Sequence, residues 1–256
     1  MKSAEEYKAI FYRQLALDYC CRPEDILSGR NQFHVYRPLE GRRQFWTGED
    51  CLLKAASVRG RILITGRADI VEWCRDRYAM TEGAWFMEPP VMKELNRMLE
   101  QHGYEIDQLH PFFLSFHEGP ARTGEYQIRW YRDGEIEAFR GDARFSNAYS
   151  FCPTAPDRIG VGAFRDGKLL GMAGASADSP DLWQIGIDVL PEARGGGIGV
   201  MLVSLLRNEI LREGKVPFYG AAVSHAISQS IAVRAGFVPA WAELTTRRIP
   251  VSKMFG

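Results

Sequence analysis

The residues best suited to do chemistry are concentrated in one short run, Arg194-Gly-Gly-Gly-Ile-Gly199, which follows an apolar strand and opens an apolar helix. Unpaired N–H groups at a helix N-terminus point outward, and the helix dipole favours negative charge there. Glycines let a backbone come close to phosphate oxygens, and Arg194 can add a charge-assisted contact, so the chemistry suggested is anion binding. Two familiar phosphate loops do not fit. A P-loop ends in Gly-Lys-Ser/Thr, whereas this run ends Ile198-Gly199-Val200. A G-x-G-x-x-G dinucleotide fingerprint would need glycine at Val200 or Leu202, and no acidic residue stands at a strand end about 20 residues further on. A tight glycine turn without a ligand is the remaining alternative on spacing alone.

Composition limits what else the chain can be. Of 256 residues, 46% are hydrophobic and 25% charged, which excludes disorder, collagen and coiled coil as the main architecture. The 32 Lys and Arg balance the 32 Asp and Glu, so there is no global basic field for nucleic acid. The five cysteines (20, 21, 51, 74 and 152) have no metal or disulfide spacing and read as reduced thiols. His34, His102, His110 and His117 likewise show no metal spacing. The opening Met1-Lys-Ser-Ala-Glu-Glu-Tyr-Lys is too charged for a signal peptide. The stretch Phe218 to Val233 lacks acidic and basic residues but holds Ser224, His225, Ser228, Gln229 and Ser230, so it is no membrane span. A cytoplasmic protein with neither membrane nor nucleic acid as partner is expected.

The elements that position the glycine run can be read from periodicity and turn residues. Ser3 and Glu6 fit a capping box for a helix over about residues 4 to 18. Phe33 to Tyr36 reads as a short strand, and Cys51 to Val58 and Arg61 to Thr65 as a strand pair about Arg59-Gly60. Helices are expected over Ala68 to Tyr78 and from Val91 to His102, with an extended segment at Pro111 to Phe116. The linker candidate is His117 to Gly124. Beyond it, Asp133-Gly134 and Asp166-Gly167 each signal a hairpin, joining Tyr126 to Tyr131 with Glu135 to Phe139, and Arg158 to Phe164 with Lys168 to Ala175. A strand over Leu182 to Val189, a helix over Ile198 to Arg212, a strand from Pro217 to Val223 and a short helix from Ser228 to Ala235 complete the order. Met201, Leu202, Leu205, Leu206 and Ile210 form a wide buried helix face. Trp183 and Trp241 read as core or pocket wall, and Trp85, Phe86 and Met87 as interface packing.

Here the chain resembles the GNAT superfamily of acetyl-coenzyme A-dependent N-acyltransferases. Arg194 to Gly199 fits its R/Q-x-x-G-x-G/A signature, and Ile187-Asp-Val189 with Pro191-Glu-Ala-Arg194 is similar to its V-x-P-x-x-R lead-in. The later strand, short helix and Gly236-Phe237 turn follow in family order, and the resemblance covers about residues 125 to 246. Residues 158 to 243 resemble a bacterial GNAT-like group carrying an extra N-terminal domain. The implied fold is α/β with a mixed sheet: a GNAT-like acetyltransferase domain over 119–256 behind a smaller N-terminal α+β domain over 1–118. The implied co-substrate is acetyl-coenzyme A. Its pyrophosphate would lie on the N–H groups of Gly195, Gly196, Gly197, Ile198, Gly199 and Val200, with Arg194 and Ser228 as further contacts. The edge of Ile187 to Val189 would bond the pantetheine arm, and the Val189 N–H would face the acetyl carbonyl.

The resemblance also shows two departures. Counting back from Gly236-Phe237, His225 stands where many relatives have Asn, and Ala232 where many have the Tyr that protonates the leaving thiolate. Proximity alone still favours transfer. His225 and Asp188 are the catalytic candidates. The imidazole has a suitable ordinary pKa for a base, but the plainer reading of His225 is a capping or coenzyme contact in place of Asn. Asp188 faces away from Ile187 and Val189 by strand alternation, and either serves a cationic substrate or pairs with an Arg. Gln184 shares its face. Ser176 and Asp178 read as turn residues that reach toward the acceptor side, and Glu243 as solvated. The expected activity is transfer of acetyl to a primary amine, on a small molecule or a peptide, by direct attack in a ternary complex without a metal. The alternatives are a non-catalytic acyl-coenzyme A sensor and an interaction protein on the same scaffold. For the N-terminal domain, shaping the acceptor pocket, homodimer formation and binding another ligand all stay open.

Overall fold

A computed structural model describes residues 2–43 and 51–250. In chain order the elements are α1 (Ala4–Asp18), α2 (Pro23–Leu27), β1 (Gln32–Val35), β2 (Leu53–Val58), β3 (Arg61–Gly66), α3 (Ala68–Tyr78), α4 (Pro89–Glu100), β4 (Tyr104–Leu114), β5 (Gln127–Arg132), β6 (Asp157–Arg165), β7 (Lys168–Ala177), β8 (Leu182–Val189), α5 (Ile198–Arg212), β9 (Val216–Gly220), α6 (Ala226–Arg234) and β10 (Val238–Arg248). The protein is thus a mixed α/β protein, as expected. It packs as two compact units, Met1–Phe11 with Phe112–Pro239 and Tyr12–Pro111 with Ala240–Gly256.

In the first unit the sheet runs β9-β8-β7-β6-β5, with the last three residues of β4 pairing with β9 outside it. All neighbours are antiparallel except β8 and β9. Asp166 (φ +51°) and Gly167 (φ +74°) both take the left-handed conformation of a tight hairpin, as their sequence signals. Helix α5 covers one face and buries Leu202, Leu206 and Ile210 against Ile159, Val161, Ala173 and Ile185. It ends where expected: Gly214 has φ +72°, its N–H bonds Leu211 O, and the Lys215 N–H bonds Ile210 O. Arg207, buried in the same helix, donates to Asn208 Oδ1 (2.7 Å) and to the Ala235 carbonyl. Burial lowers its pKa. The Asn208 amide in turn brackets Gly119, accepting from its N–H (3.1 Å) and donating to its carbonyl (2.8 Å).

The second hairpin signal is used differently. Residues Asp133–Phe139 form a 3-10 helix rather than a strand. The free edge of β6 is taken by β5 itself, from Gln127↔Phe164 to Arg132↔Ile159. Ile136 and Phe139, three apart, then turn into an aromatic cluster in which Phe139 meets Tyr131 edge-on (4.9 Å) and stacks on Tyr149 (5.5 Å). Eclipsed i, i+3 side chains suit a 3-10 turn, so tertiary burial overrides the local signal. Strand β9 also stops at Gly220, three residues short of Val223, because the His225 N–H bonds back to Ala222 O and starts α6 early.

The second unit holds β1, β3, β2, β10 and residues 104–111 of β4 in that order, with β1 parallel to β3, and β2 antiparallel to both β3 and β10. Helices α3 and α4 cover one face through Ile70, Val71, Cys74, Leu95 and Leu99. The start of α1 belongs to the first unit, and there the capping box at Ser3 and Glu6 forms as read, with Ser3 N–H to Glu6 Oε2 at 2.6 Å. Glu243 is not solvated: it is 2% exposed and accepts from Arg43 (2.6 Å) and the Tyr19 hydroxyl (3.3 Å). Arg43 also donates to Asp18 at 2.5 Å, so one guanidinium joins α1, the segment before residue 44, and β10. Beside this network, burial lowers the pKa of Lys54 to about 8. Strand alternation alone puts Glu243 on either face; the buried Arg43 decides which.

Removing one member of a buried ion triad leaves uncompensated charge, which typically costs about 3–5 kcal/mol. Arg43→Met is therefore expected to lower the stability of the full chain by about that much in denaturant unfolding. A loss under about 1 kcal/mol would show that the network is not holding these elements together.

Candidate functional site

The site is built on β8. Along one edge this strand pairs with β7 over all but its first residue, from Trp183↔Ala177 to Val189↔Gly171. Along the other it pairs with β9 only from Leu182↔Val216 to Ile185↔Tyr219. Gly186 to Val189 therefore have no strand partner on that side among the described residues. The Leu190 N–H bonds Leu170 O on the β7 side. By antiparallel alternation the backbone groups of Asp188 also face β7, and those of Ile187 and Val189 face the opening. The Val189 carbonyl there accepts from Arg194 Nε at 3.2 Å. Among the described residues the Ile187 N–H and C=O and the Val189 N–H have no strand partner.

The glycine run continues from this open edge. Gly195 (φ +82°) and Gly197 (φ +79°) take left-handed conformations, and a Cβ added to either would meet nothing within 4 Å. Gly199 is different: its Cβ would come within 3.2 Å of Ile231 on α6 and 3.5 Å of Val189, so it serves close packing. The first backbone bond of α5 runs from the Met201 N–H to Gly197 O. Among the described residues, the N–H groups from Gly195 to Val200 donate to no protein acceptor. They are donors at the positive end of a 15-residue helix, where an anion is favoured. Arg194 is exposed beside them.

Helix α6 borders the opening. His225 is its exposed N-cap residue, and its ring makes no hydrogen bond among the described residues. Ser228 lies one turn on, its hydroxyl 2.8 Å from that of Tyr219. Tyr219 sits at the last β8–β9 pair and is 2% exposed, and burial raises its pKa, keeping the hydroxyl protonated. Ala232 is fully buried in the core. Glycine contacts and hydrogen bonds bring Ile187, Val189, Arg194, the 195–200 loop and Ser228 to one end of β8. His225 is at the rim.

Asp188 lies on the other face of the sheet. Its Oδ2 accepts from the backbone N–H of Asn147 (2.8 Å) and Ala148 (2.9 Å), and its Oδ1 from Asn147 Nδ2 (2.6 Å). The segment it grips lies on a column of glycines. Gly160, Gly174 and Gly186 are in register on β6, β7 and β8. A Cβ at these positions would come within 1.7 Å of the Tyr149 hydroxyl, 2.1 Å of Ala148 O and 1.8 Å of Asn147 O. Gln184 shares this face, as expected. Ser176 Oγ donates to Asp178 Oδ1 at 2.7 Å, a local bond that fits a turn role for both. Asn147 and Tyr219 had no signal of their own in the sequence. Three glycines inside strands are a signal of close backbone approach, and they mark where Asn147 lies. Among the described residues no cluster of His, Cys, Asp and Glu suits a metal, and no helix is long and apolar enough to cross a membrane.

With this geometry in hand, comparison with known proteins gives the class. The acetyltransferase (GNAT) family matches residues 104–237, just over half of the 256-residue chain. The protein belongs to that family. No curated protein matches the sequence. Among solved structures, a GCN5-related N-acetyltransferase from Sphaerobacter thermophilus is 14% identical, with TM-score 0.48, covering 93% of this chain and 91% of that one. A GCN5-related N-acetyltransferase-like protein from Streptococcus suis is 13% identical, with TM-score 0.48, covering 94% and 99%. For a GCN5-related N-acetyltransferase from Kribbella flavida the identity is 16%, the TM-score 0.45 and the cover 64% and 66%, so this chain spans just under two thirds of its length.

The glycine column yields a test. Gly186→Ala drives a methyl into the Asn147 carbonyl, and overpacking of this kind costs about 1–3 kcal/mol. The variant is expected to unfold at correspondingly lower denaturant. An unchanged midpoint would mean the 147–149 segment does not lie on the sheet in solution.

Proposed function

We propose that the protein transfers an acetyl group from acetyl-coenzyme A to a primary amine by direct attack in a ternary complex. The observation that carries this reading is the continuity of two sets of backbone donors. The open edge of β8 at Ile187 and Val189 leads directly into the unpaired N–H groups from Gly195 to Val200. An extended amide-bearing arm fits the first and a pyrophosphate the second. When bound, acetyl-coenzyme A supplies an activated acyl group as a thioester. The loop N–H groups and Arg194 hold the anionic end, and Ser228 borders the arm. The Val189 N–H faces the carbonyl oxygen where negative charge develops. The amine nitrogen forms a bond to the carbonyl carbon while the C–S bond breaks. The nitrogen sheds a proton and the thiolate takes one up.

Of the two catalytic candidates, the free ring of His225 supports a proton-accepting role. The three donors on Asp188 support a positioning role for that carboxylate. The Tyr219 hydroxyl, held protonated and paired with Ser228, is a donor near the end of the β8–β9 pairing and compensates for Ala232. The same reading has the enzyme working in the cytoplasm on a small-molecule or peptide amine, with neither nucleic acid nor membrane as partner. A second reading, a non-catalytic acyl-coenzyme A sensor, is favoured by one observation: Ala232 is core and has no proton to give.

Gly195→Asn with Gly197→Asn tests the coenzyme site. Asn tolerates the left-handed conformation, and a Cβ at either position meets nothing within 4 Å, so the fold should persist while the anion site fills. Isothermal titration of the full chain with acetyl-coenzyme A should show binding that weakens by about 100-fold or more in the folded double variant, a loss of two or more charge-assisted bonds. Retained affinity would move the coenzyme elsewhere. Thiol release on adding amines separates the enzyme from the sensor.

A further inference from the structure

Asp188 is a half-buried carboxylate that makes no ion pair among the described residues; its three bonds come from neutral donors. Arg144, three residues before Asn147, is bound to Asp142 at 2.7 Å. The negative charge of Asp188 thus has hydrogen bonds but no counter-charge. The bond from Asn147 Nδ2 also fixes the amide. A carboxylate accepts and does not donate, so the amide must turn its nitrogen inward and its Oδ1 away. Asn147 is exposed, and its Oδ1 accepts no hydrogen bond among the described residues. A carbonyl oxygen aimed at solvent, backed by an uncompensated carboxylate, is a site for a positively charged N–H donor. It stands on the residues of β8, 186 to 188, whose opposite edge is open.

The charge held there is not that of the reacting nitrogen. An ammonium beside a carboxylate keeps its proton more firmly, and attack requires that proton to leave. We propose that Asp188 and the Asn147 amide it orients hold a second, non-reacting positive charge of the acceptor, so that the acceptor class is a dicationic amine. This rests on the N-acetyltransferase reading and deepens it. The far ammonium keeps its proton throughout. The near nitrogen, which starts as an ammonium, gives up two protons in all, with His225 as the acceptor that passes them to solvent. It forms the C–N bond as the C–S bond breaks, and the thiolate takes a proton from the Tyr219 hydroxyl, which solvent restores. Asp188 and Asn147 are positioning residues.

The test uses the full chain, acetyl-coenzyme A and two pairs of probes: 1,4-diaminobutane against n-butylamine, and 1,6-diaminohexane against n-hexylamine. Thiol release is measured for each. For at least one pair, kcat/KM for the diamine is expected to exceed that of the monoamine by about tenfold, the worth of one charge-assisted bond. The preference should shrink as salt is raised. Asp188→Asn, which keeps the shape and reverses the amide of Asn147, and Asn147→Ala should both bring the ratio to about the statistical factor of two. The KM for acetyl-coenzyme A should stay within about twofold, because neither side chain is in the loop. General damage would lower both amines together and leave the ratio intact. A wild-type ratio at the statistical value for both pairs, or an intact ratio in both variants, overturns the inference while amine acetylation itself stands. No thiol release with any of the four amines overturns both.

Discussion

The parting of β8 from β9 after Ile185 and Tyr219 is the constraint around which the first unit is arranged. Backbone polar groups inside a sheet normally find partners, and leaving those of Ile187 and Val189 open costs free energy unless water or a ligand satisfies them. The opening is maintained from both sides. Strand β9 is only five residues long, and the chain turns at Ala222 into α6, which the Tyr219–Ser228 bond ties back to the strand. On the other side β7 grips β8 from Trp183 to Val189, so β8 cannot swing over to close the gap. Gly199 then lets α5 approach Ile231 and Val189 closely enough for the donor loop to follow the open edge without a break.

The opposite face of the same strands is governed by shape before charge. Glycines at 160, 174 and 186 remove three side chains from neighbouring strands and leave a flat track for the backbone of residues 147 to 149. Asp188 then fixes the register of that segment through two main-chain N–H groups. One strand thus carries two kinds of work. Its odd-numbered residues offer backbone groups at the open edge, and Asp188 organises the far face. This division follows from the period of two of a β-strand.

The second unit meets a different requirement. Asp18, Arg43 and Glu243 are buried together, with Lys54 close by. Two acids and two bases balance formally, which is how such groups are tolerated out of water. The weakened basicity of Lys54 reflects the cost of that burial. Nothing in this network resembles the donor loop of the first unit.

What was legible in the sequence was whatever the local backbone dictates. The glycine loop, the limits of α5, the Asp166-Gly167 hairpin and the capping box at Ser3 each depend on residues within a few positions of one another, so their chemistry could be read directly. The family resemblance rested on the same kind of local run. Tertiary structure decided the rest. Asp133-Gly134 carries a hairpin signal yet opens a 3-10 helix, because Ile136 and Phe139 are drawn into an aromatic core assembled from distant segments. Glu243 looks like a surface residue until Arg43, 200 positions away, is placed against it. Asp188 was recognisable as a candidate, but its partner Asn147 lies 41 positions earlier and is chosen by the glycine column. Local conformational preference is written in adjacent residues. Which side chain meets which carboxylate is settled only when the strands are paired and their faces buried.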